Sequence, residues 1–356
     1  MKWLARSIVT LLVGGVALVT ANVAPPSVRA VFGSAQADVP AYTSSAPPLS
    51  VASVMGLDTG ISIAEPDEAP WVPPVWFPPT NDLQAISQMD AAGPRRGPSV
   101  YSRSVFVFDV DRGTVLFEKN ADEVRPVASI TKLVSALTLV STGADLDNTL
   151  CVGAQQYPTR NGARSHLSTG DCLRGWDVLG AALVASDNRA AFGLAAVAQL
   201  DMDDFIAQMN VVSAEMGMTR SSWSDPSGLE DENLSSARDI ARATIAVASH
   251  PVLSTVASAP FWDIHRDNAA PRRLYSTDRL AGRDDVLVEA AKTGYTDTAR
   301  YCFTTALHTP GGRRLVITLL GADGKMTRWA DVQRVIAWAD GQPEPQEEQD
   351  GIVDAE

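Results

Sequence analysis

The 356-residue chain has few side chains of the types that bind zinc or nucleic acid. Its four histidines lack the spacing of a zinc site, which argues against a metallopeptidase. They are His166, His250, His265 and His308. A formal net charge of -13 argues against nucleic acid as a partner, because phosphate contacts need lysine and arginine on one face. With only five lysines in the chain, a lysine-containing motif is harder to explain by accident.

The three cysteines leave the disulfide pattern open. Cys151 and Cys172 each lie in a short strand-like segment, and a polar loop separates them. In an oxidising compartment they could form a bridge, and the alternative is two buried thiols. We predict that these two are close in space. Cys302 lies in an apolar segment, and we expect it to be a free, buried packing residue.

The first 21 residues have the features of an export signal. Lys2 and Arg6 supply positive charge, residues 8–21 are apolar, and small residues that suit cleavage precede position 22. The apolar run is short for a spanning helix, so an uncleaved anchor is the less favoured alternative. We therefore expect a periplasmic or other extracytoplasmic location.

Composition divides the rest of the chain into three parts. Residues 22–98 are rich in Pro, Ser and Ala and lack hydrophobic periodicity, which predicts a linker. Regular apolar patterns predict one catalytic domain over residues 99–341, and residues 342–356 form an acidic tail. Within the linker, the stretch from Trp71 to Pro79 favours an extended polyproline conformation, suited to docking on a wall protein or on the chain's own domain.

Hydrophobic periodicity predicts strands near both ends of the domain and helices between them. The predicted strands cover residues 104–109, 114–118, 286–290, 301–307 and 314–320. The predicted helices cover the apolar run after Ser129 and residues 176–185, 189–200, 202–216, 237–249 and 326–339. This order predicts an α/β fold in which an antiparallel sheet is flanked by helices and a helical subdomain is inserted.

Three short motifs occur in the order Ser-x-x-Lys, Ser-x-Asn and Lys-Thr-Gly. They are Ser129 to Lys132, Ser186 to Asn188, and Lys292 to Gly294. Each motif is weak alone, but the ordered set is typical of penicillin-binding proteins and serine β-lactamases. Three-residue spacing puts Ser129 beside Lys132 on one helix face, where a neutral lysine can take the serine proton.

Lys292 completes the expected chemistry. We expect it to depress the pKa of Lys132 by like-charge repulsion, helped by burial, and to attract a substrate carboxylate. Gly294 has no side chain, so a substrate can lie along its strand as an added strand. No metal or organic cofactor is implied.

The chain is similar to the serine D-alanyl-D-alanine peptidases, the low-molecular-mass penicillin-binding proteins, from about residue 104 to residue 339. The similarity extends to Asp225-Pro-Ser-Gly-Leu229, Ser236-Ala-Arg-Asp239 and Lys292-Thr-Gly-Tyr-Thr296. Ser186-Asp-Asn-Arg-Ala-Ala and Gly324-Lys-Met-Thr-Arg-Trp-Ala-Asp331 look most like the D,D-endopeptidase branch, of the penicillin-binding protein 7 type.

The resemblance implies roles for further residues. Ser186 would return a proton to the leaving amine, Asn188 would bind the substrate amide, and Thr293 would donate to the substrate carboxylate. Backbone amides of Ser129 and Tyr295 would form the oxyanion hole. The implied ligands are peptidoglycan stem peptides, with β-lactams as covalent inhibitors.

Two positions depart from the family pattern. Arg300 follows Ala299 where glycine is usual, and Ser276-Thr-Asp278 stands where Asn-Thr-Asn is common. The first would narrow the rim of the cleft, and the second would alter a supporting hydrogen bond.

The resemblance predicts hydrolysis of D-alanyl bonds through a Ser129 acyl-enzyme, with cross-link cleavage favoured. Soon after the last predicted helix the sequence has only the acidic tail, so we expect neither the extra β-domain nor the amphipathic C-terminal anchor common in the membrane-bound carboxypeptidases of the family. A D-alanyl-D-alanine carboxypeptidase is the alternative. A class A β-lactamase is disfavoured because residues 229–234 do not fit Glu-x-x-Leu-Asn, and an inactive wall-binding homologue because every proposed catalytic side chain is present.

Overall fold

The computed structural model describes residues 80–94, 96–153, 165–267 and 269–342. The expected signal, the stretch from Trp71 to Pro79 and residues 343–356 lie outside the described residues. Within the described ranges no single helix is both long and apolar enough to cross a membrane, and one pair of helices reaches that length only across a bend of 106°.

Eleven strands and eight helices make up the described fold. The strands are β1 (Ser104–Asp109), β2 (Thr114–Lys119), β3 (Arg125–Pro126), β4 (Thr149–Cys151), β5 (Cys172–Arg174), β6 (Leu234–Ser235), β7 (Phe261–Arg266), β8 (Ala269–Tyr275), β9 (Leu287–Thr296), β10 (Arg300–His308) and β11 (Arg314–Ala322). The helices are α1 (Thr80–Gln88), α2 (Thr131–Ser141), α3 (Gly175–Leu183), α4 (Asn188–Val197), α5 (Met202–Glu215), α6 (Ala237–Ser249), α7 (Pro251–Ala257) and α8 (Lys325–Asp340).

Five strands form one antiparallel sheet in the order β2-β1-β11-β10-β9. Alternate side chains of β1 enter two different cores, since successive residues of a strand point to opposite faces. Phe106 and Phe108 pack in the larger core with α6, whereas Val105 and Val107 pack in the smaller core with α8. The expected antiparallel sheet flanked by helices is confirmed.

The inserted subdomain contains α3, α4 and α5, which pack against α2. At its edge β4 pairs with β5, and this register puts Cys151 directly opposite Cys172. The two form a disulfide, whereas Cys302 is free and buried in β10. The predicted proximity of the first two cysteines is confirmed, and of the two alternatives the structure has the bridge.

The domain boundary expected at Ser99 lies too far along the chain, because α1 already packs on the core. Ala85, Ile86 and Met89 are buried in the larger core, with Asp82 one turn earlier on the same face. Asp82 pairs with Arg314 at 2.6 Å, and Arg238 donates to the carbonyl of Met89. Among the side chains that the structure describes, the buried face of α1 thus consists of the polar Asp82 and only three apolar residues, which is too short an apolar pattern to predict a helix from the sequence.

Candidate active site

Ser129 lies in a short 3-10 turn, Ala128–Ile130, that leads directly into α2. Two neighbouring segments approach this turn so closely that only glycine fits. A Cβ atom on Gly228 would lie 2.0 Å from the Ala128 carbonyl oxygen, and one on Gly294 would lie 2.7 Å from the Val127 carbonyl oxygen. Gly228 also has a φ of +81°, which favours glycine. The serine turn is therefore held between the loop around Gly228 and strand β9.

Lys132 is completely buried one turn after Ser129. Its Nζ atom lies 2.8 Å from Ser129 Oγ, 2.8 Å from Asn188 Oδ1 and 2.7 Å from the Ser227 carbonyl oxygen. The last two oxygens can only accept hydrogen bonds. A neutral amine has two N–H groups and one lone pair, so when both N–H groups donate to these acceptors the lone pair faces the Ser129 hydroxyl. The geometry suits proton transfer from serine to lysine.

Burial is the main cause of the altered pKa of Lys132. It lowers the pKa of this ammonium to about 7, against the carboxylates of Asp225 and Asp187, which favour the charged form. The expectation that repulsion from Lys292 would be the chief cause is therefore wrong. The repulsion acts in the other direction: Lys132 and Arg328 add to burial in holding the pKa of Lys292 well below its usual range.

Ser186 forms a hydrogen bond with Lys292 of strand β9. Lys292 Nζ donates to Ser186 Oγ at 2.8 Å and to the Thr293 carbonyl oxygen at 3.1 Å. Ser186 has a left-handed backbone with φ of +58°, uncommon for a residue other than glycine. The next residue, Asp187, caps α4 by accepting from the Ala190 amide, which fixes the turn that presents Ser186.

The cleft between sheet and subdomain encloses about 820 Å³. Six of the eight predicted site residues line it: Ser129, Ser186, Asn188, Thr293, Gly294 and Tyr295. The other two, Lys132 and Lys292, lie buried beneath it. Among the described residues no group of three or more His, Cys, Asp or Glu side chains is arranged to hold a metal ion.

Residues 90–324 match the family described as D-alanyl-D-alanine carboxypeptidase. The chain belongs to this family. It is 30% identical over 260 residues to the D-alanyl-D-alanine endopeptidase of Escherichia coli K12, which covers 72% of this chain and 82% of that one. This agrees with the expected resemblance to the endopeptidase branch.

Solved structures of the family share the fold. A D-alanyl-D-alanine carboxypeptidase from Mycobacterium tuberculosis H37Rv superimposes with a TM-score of 0.64 at 28% identity, covering 70% of this chain and 95% of that one. Penicillin-binding protein D2 from Listeria monocytogenes, in its cefotaxime-bound form, gives 0.59 at 27% identity, covering 68% and 98%. The arrangement of sheet, subdomain and cleft is therefore the fold of these serine peptidases.

Asp225 shapes the loop that contacts Lys132, yet it was assigned no role from the sequence. Asp225 accepts from the amides of Ser227 and Gly228 and from Asn233 Nδ2, and so shapes the loop whose Ser227 carbonyl receives Lys132. The signal was present, since Asp225 to Leu229 is one of the motifs that carry the family resemblance.

Arg279, Lys325 and Arg328 were also missed as cleft-lining residues. These three cationic side chains line the same cleft as Thr293. The sequence motif that contains Lys325 and Arg328 was interpreted only as a mark of the endopeptidase branch. Nothing in the local sequence shows that α8 begins at the edge of the cleft.

The departure at Arg300 has a backbone explanation. Arg300 has φ of +61°, a left-handed conformation that explains why glycine is common here. Its side chain is exposed, and it does not occur among the described residues that line the cleft. At the other departure, Thr277 Oγ1 and Thr293 Oγ1 share a hydrogen bond of 2.7 Å. This bond ties the loop with Asp278 to the Lys-Thr-Gly strand.

Proposed function

We propose that this serine peptidase cleaves D-alanyl bonds of peptidoglycan stem peptides through an acyl-enzyme on Ser129, with a preference for cross-links. The observation that carries the proposal is the 2.8 Å contact between Ser129 Oγ and a buried Lys132 whose pKa is lowered to about 7. At neutral pH much of this lysine is an unprotonated base, matched to the task of taking the serine proton.

The first step transfers the Ser129 hydroxyl proton to Lys132 Nζ while Oγ attacks the carbonyl carbon of the D-alanine whose peptide bond is cleaved. The tetrahedral oxyanion accepts hydrogen bonds from the backbone amides of Ser129 and Tyr295. Collapse of this intermediate breaks the C–N bond and forms an ester. Water then attacks the ester, Ser129 regains its proton, and the shortened peptide leaves as a carboxylic acid.

Ser186 gives its hydroxyl proton to the leaving amine and is reprotonated with the proton that Lys132 took from Ser129, which leaves Lys132 neutral for the attack by water. Its oxygen accepts from Lys292 at 2.8 Å, so its own hydroxyl hydrogen is free to point into the cleft. Asn188 Oδ1 faces Lys132, so a substrate carbonyl would meet the Nδ2 group. Thr293 and the cations beside it suit a substrate carboxylate. The family resemblance and this geometry support all three proposed roles.

The preference for cross-links rests on the branch motifs and on the likeness to the E. coli relative, which is named as an endopeptidase. The second candidate is a carboxypeptidase, as the M. tuberculosis relative is named. The test supplies a cross-linked stem-peptide dimer and a free pentapeptide to purified protein under equal conditions, with Ser129→Ala as the matched control. We expect faster loss of the dimer. Rapid release of D-alanine from the pentapeptide with the dimer left intact would assign the carboxypeptidase instead.

β-Lactams are proposed as covalent inhibitors that acylate Ser129, supported by the relative from L. monocytogenes that is described in a cefotaxime-bound form. Mass spectrometry of the protein after exposure to benzylpenicillin should show one adduct on the peptide that contains Ser129. An adduct elsewhere would move the nucleophile.

Export by residues 1–21 is a further proposal, which the disulfide between Cys151 and Cys172 supports because such bonds persist in oxidising compartments. Cell fractionation should find the protein outside the cytoplasm, and N-terminal sequencing distinguishes a cleaved signal from an anchor. Docking of a wall protein on the stretch from Trp71 to Pro79 stays a prediction.

A further inference from the structure

Asp278 is a buried carboxylate with one oxygen left without a partner. It is 9% exposed, and it follows Thr277, whose hydroxyl bonds Thr293. Its Oδ1 atom accepts from the Leu280 amide at 2.9 Å. Its Oδ2 atom is buried and has no hydrogen-bond partner among the described residues. Leaving a buried acceptor unsatisfied is costly, so this carboxyl group is a place to look for a role other than stability.

The charged groups around Asp278 are cations. Arg279 belongs to its own loop, Arg328 comes from α8, and Lys292 comes from β9 with Lys132 next to it. Arg328 is 4% exposed and donates through Nη1 to two carbonyl oxygens, while its Nε atom is buried without a partner in the described structure. Asp278 therefore lies within electrostatic range of two buried cations, Arg328 and Lys292, neither of which forms a salt bridge with a carboxylate in the described structure.

We propose that Asp278 is a positioning residue that sets the charge of the carboxylate-binding end of the cleft, weakening ligand binding when ionised and strengthening it when protonated. The inference rests on the proposed function, in which this end receives the carboxylate of the substrate. Asp278 and that carboxylate compete for the same two cations. Proton uptake by Asp278 and binding of an anionic ligand are therefore coupled, each favouring the other.

The pKa of Asp278 lies in a useful range for such coupling. Burial raises it to about 6, against the backbone amides of its own loop and the charge of Arg328, which favour the ionised form. Above pH 6 the carboxylate is ionised and offsets the cations; below pH 6 it is neutral and the offset is lost. The family's common residue here, asparagine, would hold the site in the neutral state at every pH.

A pair of ligands isolates this effect from the titration of Lys132. Acylation of Ser129 is measured with benzylpenicillin and with its methyl ester, which lacks the carboxylate, at pH values from 5.0 to 7.5. Because both ligands need the same base, the ratio of their second-order rate constants cancels the requirement for an unprotonated Lys132. In the wild-type protein this ratio should rise roughly three- to tenfold as the pH falls through 6.

Asp278→Asn keeps the size and the Leu280 hydrogen bond but removes the charge. Its ratio should lose the rise that the wild-type protein shows as the pH falls through 6, and so should vary less between pH 7.5 and pH 5.0 than the wild-type ratio. Asp285→Asn is the matched control, since it removes an exposed carboxylate that pairs with Arg283, and it should keep the wild-type slope. A wild-type ratio that does not change with pH, or a wild-type slope that persists in Asp278→Asn, would overturn the inference.

The outcomes of these experiments distinguish the proposed function from the proposed role of Asp278. If no penicillin adduct forms on Ser129 of the wild-type protein, the proposed function is wrong. If adducts form but Asp278→Asn keeps the pH slope, only the role of Asp278 is wrong. A purely structural role would slow both ligands equally in Asp278→Asn and leave the slope intact, which also contradicts the inference.

Discussion

The two walls of the cleft each bury a lysine, but they surround it with opposite charges. On the helical wall, Lys132 contacts three oxygens and lies near the carboxylates of Asp225 and Asp187. On the sheet wall, Lys292 contacts two oxygens and lies near the cations Lys132 and Arg328, with Asp278 as a nearby carboxylate. Burial lowers the pKa of both lysines, and the neighbours decide how far.

This difference separates two tasks. Carboxylates near Lys132 limit the fall of its pKa, so that it stays close to 7 and can both take and return a proton near neutral pH. Lys132 and Arg328 add to burial in lowering the pKa of Lys292, and a nearby anion favours its charged form. In the proposed mechanism the helical wall transfers the proton, whereas the sheet wall responds to a negatively charged ligand.

The largest effect should come from removing the nucleophile on the helical wall. Ser129→Ala should abolish covalent labelling by a fluorescent penicillin, because the other two oxygens in contact with Lys132 Nζ, from Asn188 and the Ser227 carbonyl, have no proton to give up and are not nucleophiles. An unchanged thermal unfolding profile would show that the fold is intact. Undiminished labelling of this variant would contradict the assignment of the helical wall.

Replacing the base should give the next largest effect. Lys132→Ala should slow labelling by about 10²- to 10⁴-fold, since the serine loses its proton acceptor. Lys132→Arg is the matched variant, because arginine keeps the positive charge but cannot act as a neutral base. If Lys132→Arg labels at the wild-type rate, charge rather than proton transfer is the function of this side chain.

Titration of the helical wall should be visible in the acylation rate. As pH falls below 7, Lys132 gains a proton and loses its lone pair, so acylation by benzylpenicillin methyl ester should fall by about tenfold per pH unit. The methyl ester has no carboxylate, so its acylation rate does not depend on carboxylate binding by the sheet wall. The residual rate of Lys132→Ala should lack this acid limb, and an acid limb that survives the substitution would assign the titration to another group.

A smaller effect should follow from loosening the sheet wall. Thr277→Val removes the hydrogen bond to Thr293 but keeps the shape, which should cost about 0.5–1.5 kcal/mol and weaken acylation by up to roughly tenfold. The control is Thr255→Val, an exposed threonine on α7 that bonds a backbone carbonyl in its own helix. Equal rates for both variants would show that the Thr277 hydroxyl does not support the strand.

Much of the fold follows from local patterns. Strand β1 and helix α6 have the bounds predicted from their apolar periods, and Ser236 caps α6 by accepting from the Asp239 amide. The apolar pattern predicts a strand that ends before Lys292, whereas strand β9 continues to Thr296. In the fold β9 is an edge strand of the sheet, yet both Lys292 and Thr293 are buried, so the strand continues through this polar sequence.

Elements stabilised from outside their own sequence were not predicted. Helix α1 depends on Arg314 and Arg238, which lie far along the chain and satisfy Asp82 and the helix end. The hairpin of β7 and β8 is largely exposed and has little alternation of polar and apolar residues. Neither carries a local signal strong enough to distinguish it from a connecting segment.

The sequence by itself determined which residues could do the chemistry, since three motifs in a fixed order name Ser129, Lys132, Ser186, Asn188 and Lys292. Only the tertiary structure decided how each titrates and what each contacts. Burial, more than the neighbouring Lys292, lowers the pKa of Lys132, and burial depends on how helices and sheet close over it. The same closure brings Asp278, Arg328 and Lys292 together from a loop, a helix and a strand. Electrostatic coupling depends on distance in space, which spacing along the chain does not reveal.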